Sequence, residues 1–369
     1  MSNAIGSGEF GLYGGLVGTA LSDSTLIHQQ IDTLTQQAGD GYVADTYAGL
    51  GAGAGMALSL EPQIASIQAY QNNISAATGT MGVAQTALTQ ISSIASTFYA
   101  QVVNLNGLDA SEVDSVASDA QSALQQVANL LDTTDGGQYV FAGQDTTNAP
   151  VPNPDDITSS GFFTQIQSAV AGLATNGGTA TSQAVIAIGA SNTAGTSPFS
   201  AALSQPASAL ASFLPTVASG PGQQTPIGVV ASANAYATSA GTNATTTGSY
   251  TRDILTALAT IGSLSSSQAN DAGFSTVVSN VYTSLGNAIT ALNQDAGVMG
   301  NQQTALQTQA TTMADTSNAL QTQVGNVEDV NMAQTLSQLT QTQTRLQASY
   351  QLISGLQSLS LAKYLVAQS

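Results

Sequence analysis

Apolar residues recur along this chain with a period of 3.5 over unusually long runs. Stepping alternately by three and four from Ile67 meets Tyr70, Ile74, Ala77, Met81, Ala84, Leu88, Ile91, Ala95, Phe98, Val102 and Leu105. Every position is apolar, and Gln, Asn, Ser and Thr dominate between them. A period of 3.5 held this long predicts a coiled-coil seam rather than the apolar face of an ordinary surface helix. With Leu60 and Ile64 extending the stripe, the helix would be about 70 Å long at 1.5 Å per residue. The second half repeats the pattern. Val278, Tyr282, Leu285, Ile289, Leu292, Met299, Leu306, Met313, Leu320, Val324 and Val327 keep the same alternation, with polar Gln303 and Ser317 inside the stripe as register-fixing positions.

The phase breaks at "VGNVEDVNM", where Gly325, Asn326 and Asp329 disfavour a helix interior. A new stripe follows at Met332, Leu336, Leu339, Gln343, Leu346, Tyr350 and Ile353, with a second apolar row at Leu352, Leu356 and Leu359 beside it. A final helix apolar over so wide an arc needs more than one neighbour, which marks it as a self-association surface. Between the long helices, "DTTDGGQYVFAGQDTTNAPVPNPDDI" (132–157) has Asp-Gly-Gly, a β-favouring Tyr-Val-Phe and three prolines, and predicts a β-hairpin. Residues 158–250 are rich in Ser, Thr, Gly and Ala, with apolar runs such as "AVIAIG" (184–189), and are expected to form a small variable β-containing module. "SYTRDILTALATIGSL" (249–264) restarts helix on Leu255, Leu258 and Ile261.

The expected architecture is therefore mainly α. Long antiparallel coiled-coil helices from the two ends of the chain form a rod, with a β-hairpin and the variable module in the middle. Five segments follow: 1–45, an N-terminal inner segment expected to be partly disordered; 46–157, the long N-side helix and hairpin; 158–250, the module; 251–327, the C-side core helices; and 328–369, the C-terminal inner helix.

Composition narrows the function. The chain has 369 residues with 21 acidic and 3 basic residues, a formal charge of −18. Nucleic-acid binding needs clustered Lys and Arg, so that class is excluded. Anionic membrane surfaces are disfavoured on the same ground, and no apolar run reaches the roughly 18 residues of a membrane span. Cysteine is absent, so no disulfide or thiolate chemistry is expected. The first residues lack a basic region followed by a sustained apolar one, so no cleavable signal peptide is expected.

No candidate catalytic or metal site survives inspection. His28, the only histidine, has no evident nucleophile to serve. "GLGAGAG" (49–55) lacks the Lys of a phosphate loop and is better read as a turn between helices. "LDTTDGG" (131–137) lacks the twelfth-position ligand of a calcium loop, and "NPDDI" (153–157) reads as loop polarity. An enzyme, a cofactor and a metal are not expected. Asn73 and Asn243 match the glycan acceptor pattern, Asn73 in mid-helix, and the hydroxyl-rich 237–250 stretch is a candidate for O-linked sugars.

The residues also resemble a known family. "VEDVNMAQTLSQLTQTQTRLQASYQLISGLQSLSLAKYL" (327–365) resembles the C-terminal helix of bacterial flagellins, matching at Val327, Glu328, Asp329, Asn331, Ala333, Leu336, Leu339, Gln343, Gln347 and Ala348. "GGQYVFAGQDTTNAPVP" (136–152) is similar to the hairpin of the related hook–filament junction protein, which is also found in many shorter flagellins. "TLTQQAGDGYVADTYAGLGAGA" (33–54) is similar to the family's N-terminal turn in degenerate form, with Asp45, Ala48 and Gly49 aligned and the Arg and one Asp missing. The resemblance implies a structural subunit of the bacterial flagellum that assembles with copies of itself and with other flagellar axial proteins. It also implies an export chaperone, passage through the flagellar secretion apparatus, and an extracellular location. A hook-associated junction protein is the alternative within the family, and a secreted coiled-coil adhesin is the alternative outside it.

Overall fold

The structure is a computed structural model that describes the backbone of residues 7–107 and 110–366 and the side chains of 18–107 and 111–355. The chain forms two compact units. One is built from residues 1–66 and 315–369, the other from 67–314, so each boundary falls inside a long helix.

In the terminal unit, α1 runs Ser7–Asp40, a 3₁₀ turn covers Tyr47–Gly53, and α2 (Ala54–Val102) begins. Within the 1–45 segment, helix covers Ser7–Asp40. The GLGAGAG stretch is the predicted turn between helices: Gly51 takes φ 57° and ψ −120°, a conformation open to glycine alone.

The larger unit holds most of α2, then α3 (Ala110–Leu131), a hairpin of β1 (Thr134–Asp135) and β2 (Gln138–Tyr139), α4 (Gly161–Ala171), α5 (Leu173–Asn176), α6 (Gly178–Gly189) and α7 (Ala207–Leu210). A second hairpin, β3 (Thr216–Gly220) with β4 (Gln223–Pro226), and α8 (Tyr250–Gly262) follow, before α9 (Phe274–Glu328). The final helix, α10 (Met332–Val366), belongs to the terminal unit. The fold is mainly α with two small antiparallel hairpins, and the first hairpin lies where Asp-Gly-Gly predicts it. Asp135 pairs with Gln138 across a two-residue loop whose glycines, Gly136 and Gly137, have φ of 57° and 82°. Positive φ at both positions matches the strand twist and selects glycine. The AVIAIG run is helical, inside α6, so the middle module is more helical than its β-favouring composition suggests. The separate helix α3 is also absent from the sequence reading. It begins after the Asn-Leu-Asn-Gly break at 104–107 and packs on α8.

Within the larger unit α2 and α9 are antiparallel, and side chains fix their register. Gln71 donates to Ala310 O (3.2 Å), Gln303 to Thr78 O (3.0 Å) and Gln85 to Ala296 O (3.3 Å). Tyr99 stacks on Tyr282 with ring centroids 4.2 Å apart. The α2 partners advance by whole heptads while the α9 partners fall back by whole heptads. Ile74, Met81, Leu88, Ile91, Phe98, Val102, Leu285, Leu292, Met299 and Leu306 are all buried in one core cluster. Ile67, Tyr70, Ile289, Met313 and Leu320 are half-buried. Gln303, one of the two polar residues of the α9 stripe, makes one of the register contacts.

The middle module is closed by two buried charges at the start of α8, a helix buried along its whole length. Arg252 donates to Ser232 O, Gly189 O, Ser191 O and Asn192 Oδ1, and its guanidinium lies 5.1 Å from the Phe199 ring centre. Burial lowers its pKa to about 10, so it stays charged at neutral pH. The Asp253 carboxylate accepts from the hydroxyls of Ser239, Thr246 and Thr247, each at 2.7 Å, and from Thr247 N. Three hydroxyls of the stretch read as a sugar-bearing candidate are thus committed to a buried carboxylate. Asp295 of α9, fully buried, gathers the backbone N–H groups of Ala235, Tyr236 and Ala237. None of these three charged anchors stands out in the periodicity.

Candidate assembly surface

The terminal unit is built on the pairing of α1 with α10. On α1 the residues withdrawn from solvent are Ala20, Ser24, Ile27, Ile31, Leu34 and Ala38, spaced by four and three. On α10 they are Thr335, Leu339, Thr342, Leu346, Ser349 and Ile353, with the same spacing. Small residues alternate with branched ones along the α10 row, and half of the α1 row is Ala or Ser. The helices are antiparallel: His28 hydrogen-bonds to the Tyr350 hydroxyl, and near the other end of the pair the turn at 41–43 meets that at 328–330. Val43 N donates to Glu328 O (2.6 Å) and Val330 N to Gly41 O (3.0 Å), a clasp in which Gly41 has φ 80°.

The sequence break at VGNVEDVNM is this clasp. Asn331 caps α10, accepting from Gln334 N through its side-chain oxygen (3.2 Å), so the motif's Asn has a local reason. Gly53 lies so close to α9 that a Cβ built on it would stand 2.2 Å from Val327 Cγ1. Tyr47 hydrogen-bonds to Glu61, which raises the phenol's pKa. The Glu328 carboxyl is held above its usual range by burial, and next by the charges of Glu61 and Asp329. The clasp is therefore bordered by like charges.

The apolar residues of α10 divide into two groups. Leu339, Leu346 and Ile353 lie in the withdrawn row, on the side that pairs with α1 in the same chain. Met332, Leu336, Tyr350 and Leu352 are exposed, Leu336 at 49% and Leu352 at 68%. At 100° per residue, Met332, Leu336 and Tyr350 flank the row on one side and Leu352 on the other. The side chains of Leu356 and Leu359 lie outside the described residues. The same unit exposes Leu21 and Leu26 on α1, Tyr42 and Tyr47 in the turn, and Met56 and Leu58 at the start of α2. These six were not read from the sequence. The α1 heptad that signals a helix there was hidden because half its positions are Ala or Ser.

Exposed large apolar side chains concentrated on one unit mark an interaction surface, whereas no group of three metal-ligating side chains gathers among the described residues. No described helix is long and apolar enough to cross a membrane. A paired-helix unit carrying such a surface is the architecture of a structural, associating protein. Residues 19–146 match the bacterial flagellin N-terminal helical region, and residues 282–365 match the bacterial flagellin C-terminal helical region, together more than half of the chain. The chain belongs to the bacterial flagellin family, a family of structural proteins rather than enzymes. No curated protein matches it closely enough to serve as a relative.

Proposed function

We propose that this protein is the subunit of an extracellular flagellar filament, polymerising with copies of itself and serving motility. The observation that carries the reading is the exposed apolar set on the α1–α10 pair. Leu339, Leu346 and Ile353 hold α10 on α1, and Met332, Leu336, Tyr350 and Leu352, with Leu21 and Leu26, meet the neighbouring subunits. Leu356 and Leu359 extend that contact toward the C-terminus. Burying a leucine of this kind contributes about 1.5–3 kcal/mol, so a handful per subunit suffices for cooperative assembly. Other flagellar axial proteins, an export chaperone and the flagellar secretion apparatus are the remaining partners of this reading.

A second reading is the hook–filament junction protein, whose hairpin the 136–152 stretch resembles; many shorter flagellins carry the same hairpin, so this likeness does not separate the two. Electron microscopy of the purified chain separates the two. A filament subunit polymerises alone into long tubes. Short oligomers without tubes, under conditions that polymerise other flagellins, would favour the junction role.

A further inference from the structure

Tyr99 of α2 and Tyr282 of α9 are half-buried against the core of the larger unit. Their rings lie within 16° of parallel, with centroids 4.2 Å apart. That is closer than the usual aromatic spacing of about 4.5–7 Å. The Tyr99 hydroxyl donates to the Tyr282 hydroxyl oxygen (2.5 Å). The oxygen-bearing ends of the two rings therefore lie together, and with them the carbons ortho to each oxygen. The approach is built into α9. Gly286 follows Tyr282 by one turn on the same helix face, and a Cβ built there would stand 3.0 Å from Tyr99 Cε2. Glycine is unfavourable in a helix interior; at this position it leaves room for the Tyr99 ring. Among the described residues, no other two tyrosines are in ring contact.

We propose that this pair is an oxidative modification site, at which a peroxide-driven one-electron oxidant joins the two rings into a covalent staple between α2 and α9. Each phenol gives up one electron and its hydroxyl proton and becomes a phenoxyl radical. The two radicals form one carbon–carbon bond between ortho carbons. The hydrogen on each of those carbons then moves to the phenoxyl oxygen, which restores two aromatic phenols. In sum two electrons and two protons leave the protein. Hydrogen peroxide takes them, its O–O bond breaking to give two waters. Holding the rings in contact makes the coupling step intramolecular. Neither ring is fully buried, so electrons can leave to a carrier in solvent. The staple closes the chain between residues 99 and 282, which restricts the unfolded state. Both tyrosines belong to the larger unit, so the site does not depend on the assembly surface.

Arg252, Arg345 and Lys363 are the chain's only Lys and Arg residues, so trypsin releases fragment 253–345, whose single tyrosine is Tyr282. The dilute full-length monomer is treated with hydrogen peroxide and a haem peroxidase, then denatured and digested. Fragment 253–345 is expected to run joined to fragment 1–252, with dityrosine fluorescence and a mass lower by two hydrogens than the sum. The undigested chain is expected to stay monomeric and to melt at a higher temperature than before treatment. Tyr99→Phe keeps the ring stack and should abolish the joined product. Tyr236→Phe, which removes a phenol bonded to Gln302, should leave it unchanged. If Tyr99→Phe does not fold, tandem mass spectrometry of the wild-type product carries the test by placing the link at Tyr99 or elsewhere. No joined fragment from the wild type, an equal yield from Tyr99→Phe, a link elsewhere than Tyr99, joining between chains rather than within one, or an unmoved melting temperature would each overturn the proposal.

Discussion

Leu88 and its neighbours show how sharply one position matters. Leu88 is 1% exposed in the α2 seam, while Thr89 and Gln90 face solvent. Leu88→Ala should cost about 2–5 kcal/mol through lost transfer energy and the cavity left behind. Thr89→Ala and Gln90→Ala should each stay within about 0.5 kcal/mol. Chemical denaturation of the three variants checks this, and equal effects would refute the register. Asp132 offers a test of electrostatics. Burial pushes its carboxyl up to about 6, partly opposed by the hydrogen bond from Val151 N. Because the folded pKa is raised, the protonated acid favours the fold. That contribution is fully present below the unfolded value near 4 and is lost as pH rises through about 6. Asp132→Asn, which keeps an acceptor for Val151, should flatten the wild-type decline in melting temperature between pH 4 and 7. A parallel decline in the variant would assign the effect elsewhere.

At the scale of elements, the long helices were legible because a 3.5-residue repeat sustained for six heptads has few other physical explanations. The interhelical break was legible because Asp329 disfavours a helix interior, although α9 continues through Gly325 and Asn326 to Glu328. The hairpin was legible because Gly136-Gly137 suits only one kind of turn. Other elements were hidden for specific reasons. The α1 seam has Ala or Ser at three of its six positions, so its stripe is thin. The AVIAIG run of α6 favours strand by composition and is helix because tertiary packing overrides weak propensity. The pairing of Leu339, Leu346 and Ile353 with α1 could not be separated from the exposed row before the partner helix was known. Arg252, Asp253 and Asp295 act through backbone groups and polar side chains of the connecting segments, which leaves no periodic trace. Two glycines give a contrast that tests the packing of the clasp. Gly53→Ala should destabilise the terminal unit, because its Cβ meets Val327. Gly55→Ala, inside α2 with nothing within 4 Å, should be neutral or stabilising by up to about 1 kcal/mol. Proteolysis of α1 and α10 under native conditions reads the difference, and equal susceptibility of the two variants would contradict the close approach of Gly53 to α9.

At the scale of the whole molecule, the surface is polar through Gln, Ser, Thr and Asn rather than through opposed charges, and helices are joined by Gln amides donating to carbonyls. A subunit of charge −18 repels its copies, so assembly should begin at lower protein concentration as salt rises from roughly 0.01 to 0.15 M, where the screening length falls from about 30 to 8 Å. The central claim is that the exposed apolar residues of the α1–α10 pair, and not the buried row, join one subunit to the next. Polymerisation of the double variant Leu336→Asp, Leu352→Asp tests it most directly, followed by electron microscopy and sedimentation with circular dichroism of the monomer as control. The account predicts monomers with wild-type helicity and melting temperature that form no filaments. Filaments of wild-type length and yield from that variant would contradict it.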